Sequence, residues 1–226
     1  MNIVVVVLIV MMIVIMYRKY HHAIRYRTDV RSRIFDECSP MLQQSQHSLD
    51  QAALPILQGE YDGYKVTFNI VEDTIGWRKI PPLWLLIKVE GKVLSNGTLD
   101  YIVRPSNNEF YSPSWQWNGN LSIPPSWPQH GILKYQHQFV DLASLEQYVP
   151  KLFADTNMKE LLVTPSMTRL TYMVKQAERG EYLIMRNAIY ENTPISKKTV
   201  ETLLKQIVAI RKNTENHEIT QLNKAT

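Results

Sequence analysis

The nearest approach to an acid–base constellation lies in "VEDTIGWRKIPP", where Glu72 and Asp73 sit close to Arg78. Arg104, at the end of a later predicted strand, is placed near the same strand ends. Carboxylates beside guanidinium groups can move protons when burial shifts their protonation. The same residues also make a solvated polar connection between two strands, with Asp73 capping a short turn, and that is the simpler reading. The chain has no Gly-rich phosphate loop, no Gly-x-Ser-x-Gly elbow and no His-Glu-x-x-His. Its one cysteine, Cys38, rules out a thiolate-rich zinc site and an intrachain disulfide. With Asp36 and Glu37 beside it, the thiolate of Cys38 is disfavoured rather than activated. No cofactor and no metal are expected, and an enzyme is the less favoured class.

The most unusual stretch runs from Arg104 to Gly131 and carries Phe110, Tyr111, Trp115, Trp117 and Trp127 together with five prolines. A loop of this length is uncommon in a compact domain unless it binds something or packs as an ordered flap. Proline lowers the entropic cost of ordering it, and aromatic rings supply contact area with a polar edge. Two readings stay open: a lid completing the domain's own core, or a docking surface for a protein partner or for lipid headgroups.

Charge narrows the partners. Net charge is +4, yet residues 18–33 alone hold six bases (Arg18, Lys19, Arg25, Arg27, Arg31, Arg33) and one acid, Asp29. The remaining residues carry nineteen bases and twenty acids and so form no basic stripe. Nucleic acid is therefore not expected as a partner.

Ahead of the basic stretch, Ile3 to Met16 holds only Val, Leu, Ile and Met. With its edges, about 17 residues give a helix of about 25 Å, slightly short of a hydrocarbon core of about 30 Å. Tyr17, Tyr20, Arg18 and Lys19 could make up the difference at the interface. The segment reads as a retained single-span anchor in the lipid bilayer. By the positive-inside rule its basic, lipid-flanking side and the whole body behind it are cytoplasmic.

The elements that must position these groups follow from periodicity and turn chemistry. Residues 40–54 read as a second helix, with Ser39 as cap and Pro55 as stop. Asp62-Gly63 between two β-prone runs predicts a hairpin, followed by strands at "PPLWLLIKVEG", "LDYIVRP" and "GILKYQHQF". A helix over 141–153, strands at "KELLVTP", "TRLTYMV" and "EYLIMRNAI", and a final helix capped by Ser196 complete the reading. The expected class is α+β: a single transmembrane helix, then a mainly antiparallel-sheet domain with two or three packed helices. The expected division is an anchor at 1–17, a juxtamembrane helical segment at 18–58, a globular domain at 59–212 and a polar flexible tail at 213–226. Such a chain is expected to be a membrane-anchored, non-enzymatic interaction or assembly protein that docks through the aromatic loop. The alternatives are a lipid- or ligand-binding module, or an enzyme built around Glu72, Asp73, Arg78 and Arg104.

Overall fold

In a computed structural model the described residues are 3–75, 80–92, 97–106, 109–137, 142–185 and 188–225. Nine strands form one sheet: β1 (Gln43–Leu49), β2 (Pro55–Tyr61), β3 (Tyr64–Glu72), β4 (Pro82–Glu90), β5 (Thr98–Val103), β6 (Gly119–Leu121), β7 (Gly131–Gln136), β8 (Met158–Val163) and β9 (Met167–Gln176). Their order is β1-β2-β3-β4-β9-β8-β5-β7-β6, and every neighbouring pair is antiparallel.

The helices are α1 (Ile3–Ser32), α2 (Leu142–Leu145), α3 (Val149–Leu152), α4 (Arg179–Met185) and α5 (Lys197–Ala225). α2 and α3 are four residues each, about one turn, so only α5 is a long helix on the sheet. The α+β expectation is corrected accordingly: this is a nine-stranded antiparallel sheet with few helices. Two local readings change with it. Residues 43–49 form an edge strand within the segment predicted as a helix, and the helix at 179–185 takes in the first half of the strand predicted at 181–189.

The membrane anchor is also corrected. Among the described residues, no helix is long and apolar enough to cross a membrane. The physical reason is length: the uninterrupted apolar run of α1 ends at Met16, and runs of about 10–14 residues fall short of the roughly 20 that a span needs. The remainder of α1 is basic and polar. With no span, the orientation argument loses its premise, and neither the single-pass assignment nor the cytoplasmic body stands. Arg18 and Arg33 are exposed, and Arg33 pairs with Asp36 at 3.4 Å. The side chains of Lys19, Arg25, Arg27 and Arg31 lie outside the described residues.

Residues directly opposed across an antiparallel ladder share a face, and this gives the sheet an inner and an outer side. The inner side carries Phe68, Ile87, Leu170, Leu161, Tyr101 and Leu133, all fully or almost fully buried. α5 closes it with Val200, Leu204, Ile207 and Val208 at helical spacing. Each such side chain contributes about 1.5–3 kcal/mol by leaving water. The turn after α1 adds Ile34, Phe35 and Cys38, with the Phe35 ring 6.0 Å from that of Phe68.

Two devices fix the frame. At the β2–β3 turn, Asp62 and Gly63 both take positive φ (52° and 79°), the conformation a two-residue hairpin requires. At the same end of the sheet, where Lys212 pairs with Asp62 and Tyr64 donates to Glu215, Arg211 of α5 is fully buried. Its guanidinium donates to the Thr164 carbonyl at 2.9 Å, the Pro165 carbonyl at 2.8 Å and the Glu215 carboxylate at 2.9 Å. A Cβ at Gly91 would collide with both Arg211 and Glu215, so only glycine leaves room for this clamp.

Candidate functional site

The outer side of the sheet is less apolar than the inner one. One rung crosses it from Lys88 through Arg169, Leu162 and Asp100 to Lys134. The next rung places Thr171, Glu160 and Ile102 in line. Carboxylates are thus carried on strands whose every residue is buried.

Burying a charge is tolerable only with partners. Glu160 is fully buried and accepts from Arg169 Nη2 at 2.9 and 3.1 Å and from the Thr171 hydroxyl at 2.5 Å. Asp100, 1% exposed, is served less completely. Its Oδ2 accepts from the indole N–H of Trp117 at 3.1 Å and from the Ser112 hydroxyl at 3.4 Å. Its Oδ1 is buried with no partner among the described residues. Burial, and next the nearby Glu160 carboxylate, push the Asp100 carboxyl up to about 8, against the pull of Arg169, Trp117 and Ser112.

The segment between β5 and β6 roofs this cluster. Arg104, at φ 48°, starts it by donating to the carbonyls of Thr156 and Met158, each at 2.7 Å. Glu109 then binds Ser106 and pairs with Lys159 at 2.9 Å. Burial opposes ionisation of Glu109, but the bonds from Lys159 and Ser106 outweigh it and hold the carboxyl down to about 2. Tyr111 packs its ring 5.6 Å from that of Trp84, and burial raises its phenol above the ordinary range.

Beneath the roof opens a cleft of about 470 Å³, within the range of ligand pockets. Asp100, Ile102, Ile132 and Lys134 form part of its wall, with Phe110 and Trp115 from the roof segment. Trp115 is 73% exposed and Phe110 50% exposed. Lys134 donates to the Ser114 carbonyl at 3.0 Å, tying β7 to the roof.

The five aromatic residues of the loop therefore have three placements. Trp127 is 2% exposed on the inner side, its ring 5.1 Å from Tyr101 and its indole N–H on Glu146 at 3.0 Å. Tyr111 and Trp117 anchor the roof to the sheet. Phe110 and Trp115 line the cleft and face solvent.

The three described residues of the acid–base alternative, Glu72, Asp73 and Arg104, are not brought together. Arg104 uses its guanidinium on backbone carbonyls. Asp73 accepts from the Trp84 indole at 3.4 Å, while Glu72 ends β3. Arg78 lies outside the described residues. Among the described residues no group of His, Cys, Asp or Glu could hold a metal ion.

Sequence reasoning missed Asp100, Glu160, Arg169 and Lys134. The available signal was a lone acid inside the β-prone run "TLDYIV", where a solvated strand would alternate and this one does not.

No protein family matches the sequence, and no curated protein does. Among solved structures, the chain is similar to the mycobacterial trehalose monomycolate transport factor A, TtfA, at 9% identity and a TM-score of 0.48. The alignment covers 82% of this chain and 92% of that one. At that identity and score the likeness bears on neither site nor activity.

Proposed function

We propose that this chain is a non-enzymatic interaction protein that docks a partner polypeptide in the cleft between β5, β7 and the 109–118 segment. The observation carrying this reading is the exposure of Trp115 and Phe110 at a cleft whose roof is otherwise pinned by Tyr111, Trp117, Glu109 and Lys134. Large aromatic side chains at the mouth of a concave apolar site are typical anchors of protein interfaces. A pinned roof also lowers the ordering cost of binding, since the rings need not be gathered first. The dispersal of Glu72, Asp73 and Arg104 over separate structural duties supports a binding role over a chemical one.

The test is site-specific photo-crosslinking in cells of the source organism, with a photoreactive residue at position 115 and a control at position 49. Leu49 is equally solvent-facing but sits on β1, at the opposite edge of the sheet. A discrete polypeptide adduct from 115 that is absent from 49 is expected. Identical patterns from both positions, or none from either, would defeat the proposal.

A further inference from the structure

Hydrogen-bond accounting around the cleft does not close, and the remainder points to the chemistry of its occupant. Glu160 is answered by Arg169 and Thr171, and Glu109 by Lys159 and Ser106. Asp100 is answered on one oxygen only, by neutral donors from the roof. Among the described residues no ion pair reaches it, and its second oxygen is buried without a partner on a side chain that lines the cleft. A buried polar atom left unmatched costs stability that a ligand can recover.

The cations near Asp100 are committed elsewhere. Arg169, one strand beyond Leu162 on the same rung, spends Nη2 on Glu160. Lys134, directly opposite on β7, is turned to the Ser114 carbonyl. What the cleft adds is aromatic: Trp115 and Phe110, whose ring faces attract positive charge. Ile102 and Ile132 between them offer an apolar path for a hydrocarbon stem. A carboxylate at the base, aliphatic walls and an aromatic mouth together fit a long basic side chain.

We infer that the partner segment inserts a lysine-type side chain, whose ammonium group donates to Asp100 Oδ1 while its stem lies along Ile102 and Ile132 beneath Trp115. This rests on the docking reading above and names what is docked. Binding carries a proton balance. The groups facing Asp100 are Glu160 from β8, Arg169 from β9, Lys134 from β7, and Ser112 and Trp117 from the roof. In that setting burial first, and the Glu160 carboxylate second, keep the carboxyl protonated to about pH 8 when the cleft is empty. An ammonium group arriving at neutral pH stabilises the carboxylate, so the proton leaves to solvent as the ion pair forms. A partner that offered a carbonyl acceptor would instead leave the proton on Asp100.

The experiment titrates the full chain with two tripeptides, acetyl-Gly-Lys-Gly-amide and its norleucine counterpart, at neutral pH. Tryptophan emission reads the binding, and calorimetry in phosphate and in Tris reads the proton. A preference for the lysine peptide of about tenfold or more is expected, with proton release shown by the buffer-dependent enthalpy. Asp100→Asn should abolish both. Equal affinities, no binding of either peptide up to millimolar concentration, or binding without buffer dependence would overturn the inference. The wild-type comparison needs no variant, so a folding defect in Asp100→Asn cannot mask the answer. A position-115 adduct alongside equal peptide affinities removes this inference and leaves the docking reading intact. Lysine preference without any adduct keeps the cation site and removes the polypeptide as its source.

Discussion

Two buried charge clusters in this molecule use the same chemistry and end in opposite states. On the inner side, Arg211 is fully buried, and each nitrogen of its guanidinium donates to an acceptor, two of them backbone carbonyls. On the outer side, Asp100 keeps one oxygen unmatched and Arg169 keeps a buried Nε without a partner. A closed set of hydrogen bonds is the mark of a structural joint, because any vacancy would cost folding energy. An open set at the base of a cleft stores that cost where something else can relieve it. The difference separates what holds the molecule together from what it presents.

The comparison breaks first at the aromatic rings. Trp127→Ala should remove about 3–5 kcal/mol of folding stability, because the ring is enclosed against Tyr101. Trp115→Ala, at a ring open to solvent, should stay within about 0.5 kcal/mol. Chemical denaturation of both variants checks the contrast, and equal losses would dissolve the distinction between lid and rim.

Arg211→Met comes next, with an expected loss of about 3 kcal/mol, since it leaves two carbonyls without their donor and Glu215 with only the Tyr64 hydroxyl. Introducing alanine at Gly91 should mimic it in direction, because the new methyl group collides with the same pair. Thermal unfolding of the two single variants and the double should show non-additive losses.

The pH dependence sharpens the comparison further. Asp100 has its folded value raised to about 8, against an unfolded carboxyl near 3.9. Its contribution to stability is therefore complete below about pH 4 and disappears as pH rises to about 8. Glu109 runs the other way: its folded value of about 2 makes its contribution present above the unfolded value and lost as pH falls. Urea midpoints measured across pH should show Asp100→Asn flattening the decline between about pH 4 and pH 8 and Glu109→Gln flattening the acid limb below about pH 4. The smallest effect should be on the thiol of Cys38, which burial and then Glu37 push up to about 12. Alkylation of the folded protein at neutral pH should be slow enough to count as protection.

How far these features were legible from the sequence depends on whether a residue's role was written in its neighbours. β3 and the hairpin before it announce themselves through Asp62-Gly63 and the alternation of Val66, Phe68 and Ile70 with polar residues. β1 does not: all its residues are exposed, so it carries no apolar period and owes its conformation to pairing with β2. Residues 179–185 contain the β-prone Tyr182 and Ile184 yet form a helix, a case of tertiary context overriding propensity. α5 runs to Ala225, beyond the expected stop, and is still buried at Arg211 and Thr214 past the predicted apolar stripe. In the aromatic loop no period exists to divide Trp127 from Trp115, because proline-rich segments have no repeating face. Only the sheet's register does that. The apolar run at the start reads as a span by composition and fails by length, the edges having been counted as if they were hydrocarbon.

Cys38 joins parts of the chain far apart in sequence: its thiol sits against the carbonyl of Ile195 at 3.6 Å, and Ile195 in turn donates its N–H to Ile34. With no second cysteine in the chain, the sulfur is a built-in clock. Its modification rate under native conditions counts how often the strap leading into α5 lifts from the turn that follows α1. A molecule whose outer cleft is filled should leave that clock running at the same rate, because the seam it times lies on the other side of the sheet.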